Sequence, residues 1–204
     1  MSFNIIKAMR QLKFLTIPII LLVLYTFIYY LEIRGIFGIV LEMTPGIIGV
    51  LYLRAIGFTR KDVYMRFTQP SLKSVITLFL FGLVIIPILA TSHRVNFDFQ
   101  AFFIIAPLSA IGQEFFFRST LLSSLTKVLK NDKSALIIHS ILFSLWHLPL
   151  TIKYAPLGGI IAVFLVTFIG GIVWGWVAKR DKTIVWVLIQ HSIYLMVMSL
   201  FAWS

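Results

Sequence analysis

Seven apolar runs, each close to the length of a membrane-spanning helix, take up most of this 204-residue sequence. A helix needs about 20 apolar residues to cross the roughly 30 Å of hydrocarbon in a bilayer. With 60% hydrophobic residues and a mean hydropathy of +1.00, the chain lies far outside the range of soluble domains. We expect an all-α, polytopic transmembrane helical bundle that forms one domain over residues 1–204. The runs lie at Phe14–Leu31, Ile36–Leu53, Leu72–Ala90, Ala101–Leu125, Ser134–Ile152, Pro156–Ala178 and Thr183–Trp203.

The basic residues indicate how the bundle is oriented. Fourteen Lys and Arg lie in the N-terminal segment and in every second loop, whereas the other loops hold only Arg34, Arg94 and Lys153. By the positive-inside rule, the N-terminus is predicted to be cytoplasmic and the C-terminus to lie outside. Loops that face anionic lipid explain the net charge of +11. We therefore expect membrane lipid as a partner and no nucleic acid.

Two segments near the runs need separate interpretation. Lys7, Arg10 and Lys13 before the first run are reminiscent of a signal peptide. The run is too long for one and lacks a small-residue cleavage site, so we expect a retained first span. In the second loop, Asp62–Phe67 mixes basic and aromatic residues and predicts a short interfacial helix.

A carboxylate and a guanidinium lie inside the fourth run, at Glu114 and Arg118. Residues four apart share one face of a helix, so the two side chains can form an ion pair. A single charge at bilayer depth costs roughly 3 kcal/mol on insertion scales, so such groups mark structural pairs or functional sites. The sequence leaves both interpretations open.

Two later runs each add an imidazole, at His147 and His191. Either histidine alone is typical of a packing residue. One acid and two imidazoles together could activate a water molecule and stabilise the charge that develops on a carbonyl. They could also hold one metal ion, since a Glu/His₂ set is typical of catalytic zinc. We expect His139, near the cytoplasmic end of its run, to be structural.

Three other residues carry expectations of their own. Glu42 lies about two turns into the second run and could line a substrate pocket or pair with Arg34. Gly171 and Gly175 allow close helix contact in the sixth run, so we assign them to packing.

The order of these residues resembles the CPBP family of intramembrane proteases, which includes CAAX prenyl endopeptidases, Abi proteins and bacteriocin-processing proteins. The family pattern is Glu-Glu-x-x-x-Arg, then Phe-x-x-x-His, then His-x-x-x-Asn. The corresponding positions here are Gln113 to Arg118, Phe143 to His147, and His191 onward. The resemblance covers about residues 40–204.

The resemblance implies an endopeptidase of a prokaryotic cell membrane that cleaves a membrane-associated peptide or protein. In it, Glu114 and His147 would activate water, His191 would stabilise the oxyanion and Arg118 would orient Glu114. Gln113 and Phe143 are then expected to contact substrate. Because the family is commonly labelled a metalloprotease, a divalent metal such as zinc would be held by Glu114, His147 and His191. The metal and the oligomeric state are left open by the sequence.

Two positions depart from the family pattern. Gln113 replaces the first Glu, and an amide cannot act as a general base. Leu195 replaces the Asn and offers no hydrogen bond to an oxyanion. The alternative is a catalytically silent member that acts as a membrane scaffold or bacteriocin immunity protein. A proton-coupled carrier would use similar groups, but the inverted repeats expected of one are not evident in the sequence.

Ideal helical rises also create a difficulty for the site. They place Glu114 nearer the cytoplasmic side than His147 by up to about 10 Å. Tilted helices or shifted helix ends would be needed to bring the two groups into one site.

Overall fold

A computed structural model describes residues 2–33, 35–90, 93–94 and 97–202, with side chains described at 11–33, 35–85 and 97–200. In this part of the chain, helices occupy all seven predicted runs, which confirms the all-α class. They are α1 (Ser2–Tyr30), α2 (Gly35–Ala55), α3 (Leu72–Ala90), α4 (Ala101–Leu129), α5 (Asp132–Tyr154), α6 (Leu157–Asp181) and α7 (Val185–Met198). A short antiparallel pair joins His93–Arg94 to Phe201–Ala202.

The helices have the length and surface of a membrane bundle. Among the described residues, α1, α2, α4, α5 and α6 each contain a stretch long and apolar enough to cross a bilayer. The other two helices contribute shorter apolar stretches, Leu72–Ile85 and Val185–Met198. Large apolar side chains such as Val23, Phe79 and Leu157 are exposed, as lipid-facing residues are. The chain is an integral membrane protein, while the cytoplasmic N-terminus stays a prediction.

The connection between α2 and α3 contradicts one expectation. Asp62–Phe67 forms no helix, so the predicted interfacial helix is wrong. Asp62 accepts hydrogen bonds from the backbone N–H and the hydroxyl of Thr59 (2.8 and 2.6 Å), which closes a turn. Tyr64 then adopts a left-handed backbone (φ 54°), and Met65 bridges to Thr183. These local hydrogen bonds outcompete helix formation because Asp and Thr favour turns.

Helix α4 runs through the centre of the bundle and is not a regular α-helix. Two of its segments, Ala101–Ile105 and Phe115–Leu122, are π-helical. The second begins directly after Glu114. π-Helical segments are rare and occur frequently at functional sites. Phe116 and Phe117 of this segment pack in an aromatic core of edge-to-face and tilted rings with Tyr25, Phe143 and Trp146.

Glycines set the closest helix contacts. A Cβ added at Gly46 on α2 would lie 2.8 Å from the carbonyl oxygen of Gly112 on α4. On α6, a Cβ at Gly171 would lie 2.9 Å from Ser140 Cα, and one at Gly175 would lie 2.6 Å from Leu136 Cδ1. Small residues let membrane helices approach this closely. The contacts of Gly171 and Gly175 agree with the packing role expected for them.

Candidate active site

A cavity of about 470 Å³ lies among α3, α5, α6 and α7, with Tyr29 of α1 and Gln113 of α4 in its wall. Most of the lining is apolar. Four of the predicted site residues line it together: Gln113, Phe143, His147 and His191. Three polar side chains from three helices therefore converge on one largely apolar cavity.

Glu114 stands behind this cavity and contacts it through His191. Its Oε1 lies 2.7 Å from Nδ1 of His191 and 3.1 Å from an Nη of Arg118. Glu114 and Arg118 have no exposed surface, and His191 is 2% exposed. An ionised carboxylate only accepts hydrogen bonds, so we assign the His191 proton to Nδ1. In the neutral ring, Nε2 then carries the lone pair.

Aromatic rings hold the side chains of His191 and Arg118 in place. The His191 ring stacks on Trp174 with centroids 4.4 Å apart and an interplanar angle of 26°. The Arg118 guanidinium lies 4.3 Å from the Phe143 centroid and 5.3 Å from that of Trp174. Trp174 in turn donates from Nε1 to Oε1 of Gln190 (2.8 Å). The imidazole and guanidinium therefore have little freedom to rotate.

Sequence reasoning missed Trp174. Tryptophan in an apolar run is usual and gives no signal by itself. The informative feature is Gln190, a polar residue directly before His191 that can reach a neighbouring helix.

His147 is held by its own helix. Its Nδ1 lies 2.8 Å from the carbonyl oxygen of Phe143, so Nδ1–H donates to that carbonyl. The Phe143 ring contacts both imidazoles, with centroid distances of 4.7 Å to His147 and 6.4 Å to His191. The sequence predicted that Glu114 and His147 lie at different depths. His191 connects them, because it contacts Glu114 and lines the same cavity as His147.

Gln113 connects the cavity to Glu42. Its Nε2 donates to Ser109 Oγ (3.2 Å), and Ser109 Oγ donates to Glu42 Oε2 (2.7 Å). Glu42 lines a second cavity of about 310 Å³, which shares Tyr29 and Leu150 with the first. Glu42 thus lies beside the site. Arg34, which the sequence offered as an ion-pair partner for Glu42, lies outside the described residues.

Two further residues have defined places. His139 is fully buried, packs against Phe117 and Phe143, and does not line the cavity. Leu195 lines the cavity and presents no hydrogen-bonding group there.

The donor arrangement does not fit a metal ion. In the described part of the chain, no three His, Cys, Asp or Glu side chains converge as a set of ligands. Glu114 Oε1 is shared by an imidazole and a guanidinium, and a neighbouring cation opposes the binding of a second one.

Comparison with protein families identifies a relationship for the second half of the chain. A family model described as type II CAAX prenyl endopeptidase Rce1-like matches residues 94–197, slightly more than half of the chain. The matched segment includes Gln113, Glu114, Arg118, His147 and His191 but not Glu42. No curated protein and no solved structure matches the sequence.

Proposed function

We propose that this chain, which belongs to the Rce1-like family of type II CAAX prenyl endopeptidases, is an intramembrane endopeptidase that cleaves a membrane-associated peptide or protein. The observation that carries the proposal is the Glu114–His191 hydrogen bond behind a cavity that His147 and Gln113 also line. Buried titratable groups that converge on one enclosed pocket are typical of catalytic sites. The mostly apolar lining favours a substrate that arrives from the bilayer.

In the proposed mechanism, His191 is the general base. Its Nε2 takes a proton from water as the water oxygen attacks the scissile carbonyl carbon. Glu114 stabilises the imidazolium that forms and holds the ring in the required tautomer, the role that a buried carboxylate plays beside a catalytic histidine. The imidazolium then gives its Nε2 proton to the leaving amine as the C–N bond breaks.

The other site residues orient the reactants. His147 accepts at Nε2, because its Nδ1–H is held by the Phe143 carbonyl, and we assign it to the peptide N–H of the substrate. Arg118 fixes Glu114 through the ion pair. The proposed roles of Glu114, His147 and His191 therefore differ from those expected from the sequence. Glu114 is too enclosed to meet water itself, and His191 becomes the base that it supports.

The test compares three histidine variants of the purified protein in lipid vesicles with a library of apolar peptides. We expect His191→Ala to lower kcat/KM by about 10²-fold or more, as loss of an acid–base group does. His147→Ala should also lower kcat/KM, because it removes the acceptor for the substrate N–H. His139→Ala is the matched control. It removes a buried imidazole away from the cavity, so it should lower the melting temperature but leave cleavage per folded molecule unchanged. Identical cleavage by wild type and His191→Ala would refute the proposed mechanism.

A catalytically silent relative is the second candidate, and two cavity residues favour it. Gln113 and Leu195 face the cavity where the family pattern has Glu and Asn. If the protein is silent, the wild type should cleave no peptide, and Gln113→Glu should introduce cleavage. Cleavage by the wild type that is lost in His191→Ala would exclude this candidate.

A further inference from the structure

We propose that Glu42, acting through Ser109, is a positioning residue that turns the Gln113 side-chain amide so that its carbonyl oxygen accepts a hydrogen bond from the attacking water. This inference rests on the proposed function. It explains how a site of this family can work with an amide where the family pattern has a carboxylate.

The direction of the hydrogen bonds determines which end of the amide is free. An ionised Glu42 can only accept, so Ser109 donates its single hydroxyl proton to Glu42 Oε2. Ser109 Oγ must then accept from Gln113, and only the Nε2 end of the amide can donate. Gln113 Oε1 is left without a hydrogen-bond partner within the described residues, although the side chain is only 4% exposed. A buried acceptor of this kind calls for a donor, and water in the adjoining cavity can supply one.

The two helices that carry this link are held rigidly. Glu42 lies one turn before Gly46, and Ser109 lies one turn before Gln113. A Cβ at Gly112 would lie 3.0 Å from the carbonyl oxygen of Glu42, so the backbones of α2 and α4 are in contact here. The Glu42–Ser109 distance is therefore set by backbone packing.

An amide needs this support and a carboxylate does not. A carboxylate accepts at both oxygens, so either orientation presents an acceptor. An amide presents an acceptor at one end and a donor at the other. Without Glu42, the Ser109 hydroxyl could donate to Gln113 Oε1, which would turn the amide and present N–H groups to the water.

The experiment is a kinetic double-mutant cycle between Glu42→Leu and Gln113→Glu in lipid vesicles. We expect Glu42→Leu to lower kcat about 10-fold or more in the wild-type background, with KM little changed, and to have less than about a 2-fold effect in the Gln113→Glu background. Ser109→Ala should behave like Glu42→Leu. Glu42→Gln keeps an acceptor for Ser109 and should retain most of the activity. Equal losses in both backgrounds would show a merely structural role and overturn the proposal.

A second measurement tests the link without enzyme activity. The melting temperatures of Glu42→Leu, Ser109→Ala and the double variant should be non-additive, because contacting residues are coupled. Additive shifts in a protein that cleaves peptide would overturn the Glu42 link alone. Absence of cleavage by the wild type would instead refute the proposed function and, with it, the role of the link.

Discussion

At the scale of single residues, the site depends on a carboxylate shared by two basic groups. Glu114, Arg118 and His191 are almost completely buried, and removing charges from water costs several kcal/mol per ion. Part of this cost is offset by the short contacts to Glu114 Oε1 and by the aromatic rings that face the guanidinium. Replacement of such groups by apolar residues is often neutral or stabilising, so stability alone gives little reason to keep them. A role in catalysis is a better explanation for burying these three groups together.

This argument predicts the effect of Glu114→Gln. The variant keeps the volume but lets an amide meet His191 Nδ1, so the ring can adopt the wrong tautomer and its imidazolium loses a counter-charge. We expect kcat to fall on the order of 10³-fold with a small change in KM, measured on folded protein in vesicles. Asp98→Asn is the control, since it removes an exposed carboxylate that accepts from Ala101 N–H and lies outside the site. A kcat within 2-fold of wild type (about 0.4 kcal/mol) would remove Glu114 from the mechanism.

The sequence predicts these residues better than their partners. Glu114, Arg118, His147 and His191 stand out because charge and imidazole are rare in apolar runs. Ser109 gives no such signal, since serine is common in membrane helices and often bonds its own backbone. Which residues meet depends on how each helix is rotated, and an apolar run does not encode that rotation. The role proposed for His191 depends on its contact with Glu114 and its place in the cavity wall, which the sequence does not give.

At the scale of helices, hydropathy located all seven elements, and Leu72–Ala90 agrees with α3 at both ends. Helix ends beyond the apolar runs depend on polar contacts, as where Asn131 accepts from the backbone of Lys133 and Ser134 to begin α5. The π-helical segment Phe115–Leu122 could not be predicted, because three consecutive Phe give no periodicity. Because its hydrogen bonds span five residues, this segment rotates the side chains of all later residues of α4 relative to Glu114.

The α2–α4 contact gives a prediction at this scale. In Gly46→Ala, the added methyl group would lie 2.8 Å from the carbonyl oxygen of Gly112, so the helices must separate. Overpacking of this kind costs about 1–3 kcal/mol. We expect a lower melting temperature and, because Glu42 moves away from Ser109, reduced peptidase activity.

Gly158→Ala is the matched control for this glycine. A Cβ there meets nothing within 4 Å, and Gly158 lies in the first turn of α6, so the added methyl group should change the stability little. An equal change in melting temperature for the two variants would contradict close α2–α4 packing.

At the scale of the whole molecule, the distribution of charge should determine which side of the membrane each loop faces. Fourteen Lys and Arg on one side against three on the other is a strong bias, and the net charge of +11 adds attraction to anionic lipid. Helix α3 (Leu72–Ala90) is the critical element, because it separates the strongly basic α2–α3 connection from the connection that precedes α4. If α3 does not cross, every later helix is inverted and the cavity would open toward the other leaflet.

Single-cysteine variants on the two sides of α3 test this orientation. The chain has no cysteine, so Gln69→Cys and Gln100→Cys each introduce one thiol at an exposed neutral position. We expect a membrane-impermeant maleimide to label Gln100→Cys in intact cells and Gln69→Cys only after permeabilisation, since the Gln69 loop carries the larger number of basic residues. The reverse labelling pattern would show that the molecule has the opposite orientation in the membrane. Labelling of both in intact cells would place both ends of α3 on one side, and α3 would then not be a span.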